Sequence, residues 1–212
     1  MIRPPGWDGV AFSERSDGDM MGAGSAQVEL SRRLRIPDKW ATVRQVHGND
    51  VRRVEQAGDA GEADAIWTTQ PGLPLAIYTA DCLGVVLVAD GAIGVAHAGW
   101  RGAASGVVTR LVEEMTGAGH PPQRAAVGPG IGPCCFEVGA EVASLFPDYV
   151  ANTTWETTSV DLRGVVAGQL EVLDVWTAGG CTRHEDGWFS HRADGTSARM
   201  AAIGWITWPT PR

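Results

Sequence analysis

The sequence predicts a mixed-sheet α/β or α+β fold in which helices pack on sheets, and two observations support this prediction. Apolar segments typical of strands and amphipathic segments with helical spacing both occur along the chain. They mix without the strict βαβ alternation that is typical of an all-parallel sheet. A chain of 212 residues defaults to one domain, so the prediction covers residues 1–212 as a single unit.

The first quarter of the chain indicates short elements. Residues 10–12 are apolar and typical of a short strand, and residues 26–34 carry apolar side chains at helical spacing. Weak alternation over residues 41–46 predicts a strand that ends at the turn-forming residues 47–50. Residues 51–54 are expected to continue the strand pairing.

The centre of the chain gives the clearest strand pattern. Residues 75–80, 84–89 and 92–96 are apolar and predict three strands, with Asp90-Gly91 as the turn between the last two. An amphipathic helix is predicted over residues 104–115, where apolar side chains recur at helical spacing.

The last two-fifths of the chain alternate between short apolar and helical patterns. Residues 125–127 are apolar, and a helix is predicted over residues 134–146 with Pro at its first turn. A further helix is predicted around residues 164–173. Strands are predicted at residues 175–176 and within 199–208.

Composition and charge exclude several classes of protein. The formal net charge of −8 argues against a nucleic-acid partner, because phosphate binding needs a basic surface. The sequence shows neither a signal peptide nor a run of 18 apolar residues, which predicts a cytoplasmic protein with no membrane partner. Four Cys in such a chain favour metal binding or catalysis over disulfides.

The most specific candidate site combines His47, Cys82 and His97. Each residue stands at or just beyond the end of a predicted strand. Two imidazoles and a thiolate suit Zn²⁺, and three protein ligands leave one position open for water or substrate. The alternative is a buried thiol that acts as a small apolar group, with both imidazoles bonded to the backbone.

Two glycine-containing segments are candidate anion sites. In the first, Gly99 and Arg101 precede the predicted amphipathic helix, where free N–H groups favour an anion; the alternative is a tight connection around Trp100. In the second, residues 128–133 precede Cys134 and Cys135, and a helix N-terminus would make one thiol reactive. The alternative here is that both are small buried thiols.

Weaker candidates accompany these sites. Asp81 is either a general acid or base or a turn-forming residue, and Arg192 either reaches a substrate or belongs to a solvated face. Gln45 shares a strand face with His47 and could line the same pocket. Three residues have no evident partner and are interpreted as structural or surface residues: His120, Cys181 and His184.

Several motifs occur in a fixed order along residues 40–206. They include Gln45-Val-His-Gly48, Thr79-Ala-Asp-Cys82, His97-Ala-Gly-Trp-Arg-Gly102 and Gly132-Pro-Cys-Cys-Phe-Glu-Val-Gly139. This order resembles the laccase-domain or polyphenol oxidase family, also called the YfiH or peptidoglycan-editing-factor family, several members of which are described as purine nucleoside phosphorylases. The chain departs from the family pattern at Gly84, where Pro is frequent, and at Ala193, where a second Arg is typical.

The resemblance implies a fold layered α/β/β/α and a metal held by His47, Cys82 and His97, usually zinc, with copper as the other candidate. It implies a zinc-dependent purine nucleoside phosphorylase that splits adenosine, inosine and methylthioadenosine into base and ribose 1-phosphate, with adenosine deamination as a further activity. The alternatives are a hydrolase that removes misincorporated L-Ser from peptidoglycan precursors and a copper-dependent polyphenol oxidase. Five His are too few for a multicopper cluster.

The residues themselves suggest further roles for this chemistry. Cys82 and His97 are expected to be catalytic as well as metal-binding, and Asp81 is expected to transfer a proton. The expected substrate- and phosphate-binding residues are Gln45, Gly99, Arg101, Cys134, Cys135 and Arg192. The expected partners are a purine nucleoside and phosphate, and the chain is expected to be a monomer or a weak homodimer.

Overall fold

A computed structural model describes residues 1–22, 24–170 and 173–207. The strands in these ranges are β1 (Val10–Phe12), β2 (Ala41–Arg44), β3 (Val51–Arg53), β4 (Gly58–Glu62), β5 (Ala65–Thr68), β6 (Leu75–Thr79), β7 (Leu83–Ala89), β8 (Ala92–Ala98), β9 (Pro122–Val127), β10 (Val150–Asn152), β11 (Thr158–Val160), β12 (Asp174–Thr177) and β13 (Met200–Gly204). The α-helices are α1 (Ala26–Leu34), α2 (Trp100–Ala104), α3 (Val107–Gly117), α4 (Ala140–Ala143), α5 (Leu162–Gln169) and α6 (His191–Asp194).

The strands build two large sheets, each of mixed direction. The first sheet has the order β1-β13-β6-β2-β4, and the second has the order β12-β9-β7-β8-β5-β3; β10 and β11 form a separate antiparallel pair. In the first sheet β2 runs parallel to both β4 and β6. In the second, β8 runs antiparallel to its neighbours β5 and β7.

Three apolar clusters show that the sheets and helices form four layers. Leu30 and Leu34 of α1 pack on the outer face of the first sheet. Side chains such as Phe12 and Ile77 fill the space between the two sheets. The outer face of the second sheet is covered by α3 and α5, with Leu111 among the fully buried residues. The predicted α/β/β/α layering is therefore confirmed.

The path of the chain brings three connections to one edge of the fold. The chain crosses from the first sheet to the second between β2 and β3, between β4 and β5, and between β6 and β7. Because β2, β4 and β6 are parallel, all three crossings begin at the C-terminal ends of these strands and lie on the same side of the fold. The antiparallel strand β8 ends where β7 begins, since its residue His97 pairs with Gly84.

Most of the predicted strands and the first helix are confirmed, with shifts of a few residues. The sequence pattern predicts no element at β4, β5, β10 or β11. The helix predicted over residues 134–146 is wrong: residues 133–135 form a turn, Glu137 makes a bridge to Ser159, and only Ala140–Ala143 is helical. The helix predicted over 104–115 is divided into α2 and α3 by Gly106, whose φ is +76°.

The C-terminal helix prediction also needs correction. The helix predicted around residues 164–173 is α5, Leu162–Gln169; residues 171–172 of that prediction, and the end of the predicted strand 199–208, lie outside the described residues. In the described part of the chain, none of the helices has the length and apolar character needed to cross a membrane.

We predict that Gly84→Ala destabilises the fold by about 1–3 kcal/mol, because an added methyl group overpacks the space between the sheets. A Cβ atom at Gly84 would lie only 2.4 Å from Cβ of Ala202 on the facing sheet. Chemical denaturation measures the change. The control is Gly117→Ala at the exposed end of α3, where a Cβ meets no atom within 4 Å and stability should stay level or rise by up to about 1 kcal/mol. Equal stability of the Gly84 variant and the wild type would contradict this packing.

Candidate functional site

His47, Cys82 and His97 meet at the edge where the chain crosses between the sheets. His47 lies on the crossing after β2, Cys82 lies on the crossing after β6, and His97 lies near the end of β8. Their ligand atoms all lie within 4.8 Å of one another. The rings of His47 and His97 stand edge to face, with centroids 4.7 Å apart. The three residues proposed from the sequence therefore do converge.

Asp64, on the crossing between β4 and β5, holds this arrangement together. Its carboxylate is fully buried and accepts four hydrogen bonds, two at each oxygen. Oδ1 accepts from the backbone N–H of His47 at 2.9 Å and pairs with Nδ1 of His97 at 2.8 Å. Oδ2 accepts from the backbone N–H groups of Val46 at 3.1 Å and Gly48 at 2.6 Å. Asp64 therefore fixes both the loop that carries His47 and the ring of His97.

The ionisation of the site follows from these contacts. Burial alone would lower the pKa of His97, but its bonds to Asp64 and Cys82 outweigh burial and raise that pKa to about 9. Burial alone would raise the pKa of the Cys82 thiol, but His47 and His97 lower it to about 6. The thiolate form of Cys82, which is the form that binds metals, is thus stabilised.

The backbone around the triad is shaped to bring these groups close. His47 and Asp81 adopt φ values of +61° and +88°, a region that non-glycine residues rarely occupy and that costs about 1–3 kcal/mol. Gly99 packs behind the triad: a Cβ there would lie 2.9 Å from Sγ of Cys82 and 3.2 Å from Cδ2 of His47. The absence of a side chain at Gly99 therefore leaves room for the thiol and the imidazole.

The donor set fits a zinc ion. One thiolate and two imidazoles are zinc ligands, and a carboxylate that accepts a hydrogen bond from a ligating imidazole is a common support behind such ligands. His97 is buried, Cys82 is half-buried and His47 is exposed, so the cluster opens on one side. The same set of one Cys and two His also occurs in copper sites.

The open side faces a cavity of about 800 Å³. This volume is within the range of small-molecule sites, which is about 300–1,000 Å³. Besides the triad, its polar lining includes four arginines, two aspartates and a further histidine: Arg44, Arg101, Arg192, Arg199, Asp59, Asp81 and His191. Three aromatic side chains also line it: Tyr78, Trp100 and Phe136. The cavity thus combines positive charge with aromatic surface.

Asp81 and Arg192 are joined in the cavity wall. The carboxylate of Asp81 accepts a hydrogen bond from the Thr182 hydroxyl at 2.7 Å and another from the backbone N–H of Arg192 at 2.6 Å. The Arg192 guanidinium donates to the backbone oxygen of Glu137 at 3.0 Å and lies 5.5 Å from the ring centroid of Phe136. Both side chains are therefore held in fixed positions beside the cavity.

Gln45 and Arg101 also line the cavity, but they make different contacts. Both ends of the Gln45 amide are bonded to the backbone of Tyr78, at 2.8 and 2.9 Å, so this side chain joins the end of β2 to β6. Arg101 stacks on the ring of Trp100 at 4.2 Å. Arg101 is among the lining residues, and within the described part of the chain no carboxylate forms an ion pair with it.

The two expected anion sites have different surroundings in the structure. Gly99 lies between β8 and the five-residue α2, at the N-cap of that helix, and it packs on the triad. In residues 128–133, backbone N–H groups are already bonded, for example Gly128 to the oxygen of Gly84 and Ile131 to that of Asp81. These glycines serve close packing, since a Cβ at Gly128 would lie 2.4 Å from the ring of Phe12.

Cys134 and Cys135 were expected to bind substrate, but neither is among the residues described as lining the cavity. They lie instead beside Cys181 and His184, with ligand atoms of all four within 4.8 Å of one another. The interpretation of Cys181 and His184 as residues without a partner is therefore wrong, because they lie beside these two thiols. Nothing in their spacing indicates this, because about 46 residues separate Cys135 from Cys181.

Comparisons with known proteins identify the family of the chain. The family described as multi-copper polyphenol oxidoreductase laccase matches residues 11–207. A purine nucleoside phosphorylase from Streptomyces griseus is 36% identical over 225 residues, covering 94% of this chain and 91% of that protein. A purine nucleoside phosphorylase from Deinococcus radiodurans is 38% identical over 210 residues, covering 92% of this chain and 81% of that protein.

Solved structures resemble the fold. YlmD from Geobacillus stearothermophilus superposes with a TM-score of 0.77 at 31% identity, covering 85% of this chain and 79% of that one. The hypothetical protein YfiH from Bacillus licheniformis gives a TM-score of 0.81 at 22% identity, covering 92% of both chains. The mixed two-sheet architecture is thus shared with these proteins.

We predict that Asp64→Asn weakens zinc binding about 10- to 100-fold, the usual cost of changing a group that supports a metal ligand. The amide nitrogen would replace an oxygen that now faces N–H donors, so the variant loses buried hydrogen bonds. Zinc affinity is measured by competition with a chromogenic chelator. Asp148→Asn, an exposed carboxylate, is the matched control and should bind zinc as the wild type does. Unchanged affinity in the Asp64 variant would contradict the supporting role of this carboxylate.

Proposed function

Because the chain belongs to the family described as multi-copper polyphenol oxidoreductase laccase, with relatives named purine nucleoside phosphorylase, we propose that it is a zinc-dependent purine nucleoside phosphorylase. The observation that carries the proposal is the cavity of about 800 Å³, in which arginines and aromatic rings surround an open cluster of one Cys and two His. Such a cavity is large enough for a nucleoside and a phosphate.

Phosphorolysis forms a bond from a phosphate oxygen to C1′ of the ribose and breaks the bond from C1′ to the purine. The phosphate needs cationic groups beside the sugar, and arginine offers paired N–H donors that match its oxygens. Arg101 is the first candidate, because it lines the cavity without an ion pair among the described residues. Arg192 lies on the same lining, but one of its N–H groups is bonded to Glu137.

The purine base needs a flat apolar surface. Tyr78, Trp100 and Phe136 all line the cavity, and an aromatic side chain can stack on a base of any identity. Stacking of this kind orients the glycosidic bond and tolerates different substituents on the ring. The proposal therefore includes adenosine, inosine and methylthioadenosine as substrates.

The leaving purine must gain a proton. Asp81 lines the cavity and its carboxylate is fixed by Thr182 and the Arg192 backbone. We assign to Asp81 the transfer of the proton from the attacking phosphate to the purine nitrogen that leaves. The balance is complete: the phosphate loses a proton, the base gains it, and ribose 1-phosphate is formed.

His47, Cys82 and His97 would hold the zinc ion, which when bound supplies a Lewis acid for a substrate oxygen or a water of lowered pKa. A bound water of this kind is the chemistry that adenosine deamination needs, so deamination is part of the proposal as a further activity. In the same arrangement, Asp64 orients His97 through Nδ1 and leaves Nε2 for the ion.

A second candidate function is favoured by one observation. Cys82, His97 and Asp64 form a chain of thiol, imidazole and carboxylate, which is the arrangement of a cysteine hydrolase. In this alternative the Cys82 thiolate attacks the acyl carbon of the amide, and His97 gives a proton to the amine that leaves. Water then hydrolyses the thioester, which frees the acid and restores the Cys82 thiolate. The substrate class would be a peptidoglycan precursor carrying L-Ser, from which L-Ser is released.

The multi-copper chemistry in the family description is not supported by the ligands of this chain. All five His lie in the described ranges, and only His47 and His97 share a cluster with each other. His120 and His191 have ring nitrogens near backbone oxygens at 3.0 and 3.3 Å. A polyphenol oxidase would have to use a single copper ion at the triad. Metal analysis for copper and an oxidation assay with a diphenol test this alternative.

The reaction test uses purified zinc-loaded protein with inosine and phosphate. From inosine we expect hypoxanthine and ribose 1-phosphate in equal amounts, and no turnover without phosphate. Adenosine and methylthioadenosine should each release adenine in a phosphate-dependent reaction, whereas deamination of adenosine to inosine needs no phosphate. Changing a residue that only supports a metal ligand lowers activity roughly 10- to 100-fold. His47 is itself a proposed ligand, so His47→Ala should lower activity by more than this. His120→Ala, outside the cavity lining, is the control. If no base is released from any of the three nucleosides, phosphorolysis is ruled out. Release of L-Ser in a separate assay, with a peptidoglycan precursor that carries L-Ser, would favour the hydrolase.

Arg101→Ala should raise the KM for phosphate roughly 10- to 100-fold, because a hydrogen bond to a charged group contributes about 1.5–3 kcal/mol. Arg101→Lys should recover only part of this loss, since lysine lacks the paired donors. The control is Arg110→Ala on α3, where the guanidinium pairs with Glu114 outside the main cavity. Steady-state kinetics with phosphate varied gives the answer, and an unchanged KM would exclude Arg101 from phosphate binding.

A further inference from the structure

A second cluster of metal-binding side chains lies outside the main cavity. It consists of Cys134, Cys135, Cys181 and His184, whose ligand atoms all lie within 4.8 Å of one another. Cys134 and Cys135 belong to the turn after the glycine-rich residues 128–132, and the other two belong to the loop after β12. Two segments far apart in the sequence therefore contribute two ligands each.

The side chains of the cluster lie in direct contact with one another. Nδ1 of His184 lies 3.3 Å from Sγ of Cys135 and 3.7 Å from Sγ of Cys134. The backbone N–H of Gly132 donates to Sγ of Cys181 at 3.1 Å. Cys135 and Cys181 are only 4% and 3% exposed, whereas His184 is exposed and lies beside a surface cavity of about 350 Å³. Two of the three sulfurs are thus enclosed, while Cys134 is half-buried and the imidazole side gives an ion a way in.

The chemistry of the donors selects the ion. Three thiolates this close would repel one another, and a divalent cation removes that repulsion. Three Cys and one His form a standard tetrahedral zinc set in sites whose role is structural, whereas sites that bind substrate keep one position open. The three-residue cluster at His47 is of the open kind. The four-residue cluster supplies every ligand itself.

We propose that Cys134, Cys135, Cys181 and His184 bind a second zinc ion in a closed structural site. The ion fastens the turn at residues 132–135 to the loop at residues 181–184. It differs from the triad in ligand number, in the excess of sulfur and in its position outside the cavity that holds Arg101 and Asp81.

The second site also bears on the cavity wall. Thr182, next to Cys181 in sequence, donates through its hydroxyl to Oδ1 of Asp81 at 2.7 Å and through its backbone N–H to the oxygen of Gly130 at 3.1 Å. An ion that fixes Cys181 therefore also fixes the donor that holds Asp81. Zinc at this site is expected to stabilise the fold and, through Thr182, to position Asp81.

The test counts zinc per chain in the full-length protein, purified without a tag under reducing conditions, loaded with zinc and then desalted. Mass spectrometry should give two zinc ions for the wild type and one each for Cys82→Ser and Cys181→Ser. The double variant should hold none, and His120→Ala should hold two. Because Cys181 is buried, His184→Ala at an exposed position is the second variant, and it should weaken binding of one zinc ion with the fold retained.

Cobalt substitution identifies the site by spectroscopy. In Cys82→Ser the remaining Co²⁺ should show the intense visible and thiolate charge-transfer bands of a tetrahedral sulfur-rich site. Adding Cys181→Ser to this variant should remove these bands. The proposal is overturned if Cys82→Ser binds no zinc or cobalt. It is also overturned if thiol titration under these conditions finds a disulfide among Cys134, Cys135 and Cys181. If instead the wild type holds one ion and Cys181→Ser holds none, the second site stands and the triad is the site that fails.

Discussion

The buried carboxylate of Asp64 is the interaction on which the site depends. A fully buried charge is costly unless every lone pair is bonded, and here each oxygen accepts two hydrogen bonds. Through these bonds one side chain fixes the backbone of residues 46–48 and the ring of His97. It does so from the middle of three crossings between the sheets, each of which contributes one residue: His47, Asp64 and Cys82.

The two clusters of candidate metal ligands use the same types of side chain in different surroundings. The triad is built where strands end, its ligands are shared between both sheets, and one side faces a cavity lined with arginines. The four-residue cluster is built from a turn and a loop, and its ligands enclose one point. Ligand number and access, more than ligand type, separate a site that can react from one that can only hold the chain.

Local pattern predicted the central strands and α1, because apolar runs are visible in the sequence. It marked His47, Cys82 and His97 only as candidates at the ends of strands, and the family resemblance then assigned them the metal. β4 was missed since Gly58–Glu62 is polar and glycine-rich, and its place in the sheet comes from pairing with β2. Asp64 was also missed. The one available signal is its position as a polar residue just before the apolar run Ala65-Ile66-Trp67, at the end of a strand as His47 is. The false helix at 134–146 followed from apolar content, which Gly139 and the bridge at Glu137 override.

The crossings between sheets have a consequence for the order of assembly. A chain that has formed only one sheet holds at most part of the triad, because His47 and Cys82 become neighbours of His97 only when the two sheets are paired. Contacts between residues this distant in sequence form late and slowly in folding. Metal that binds a completed triad binds the native state alone, so it adds its binding energy to folding and makes the joining of the two sheets more cooperative.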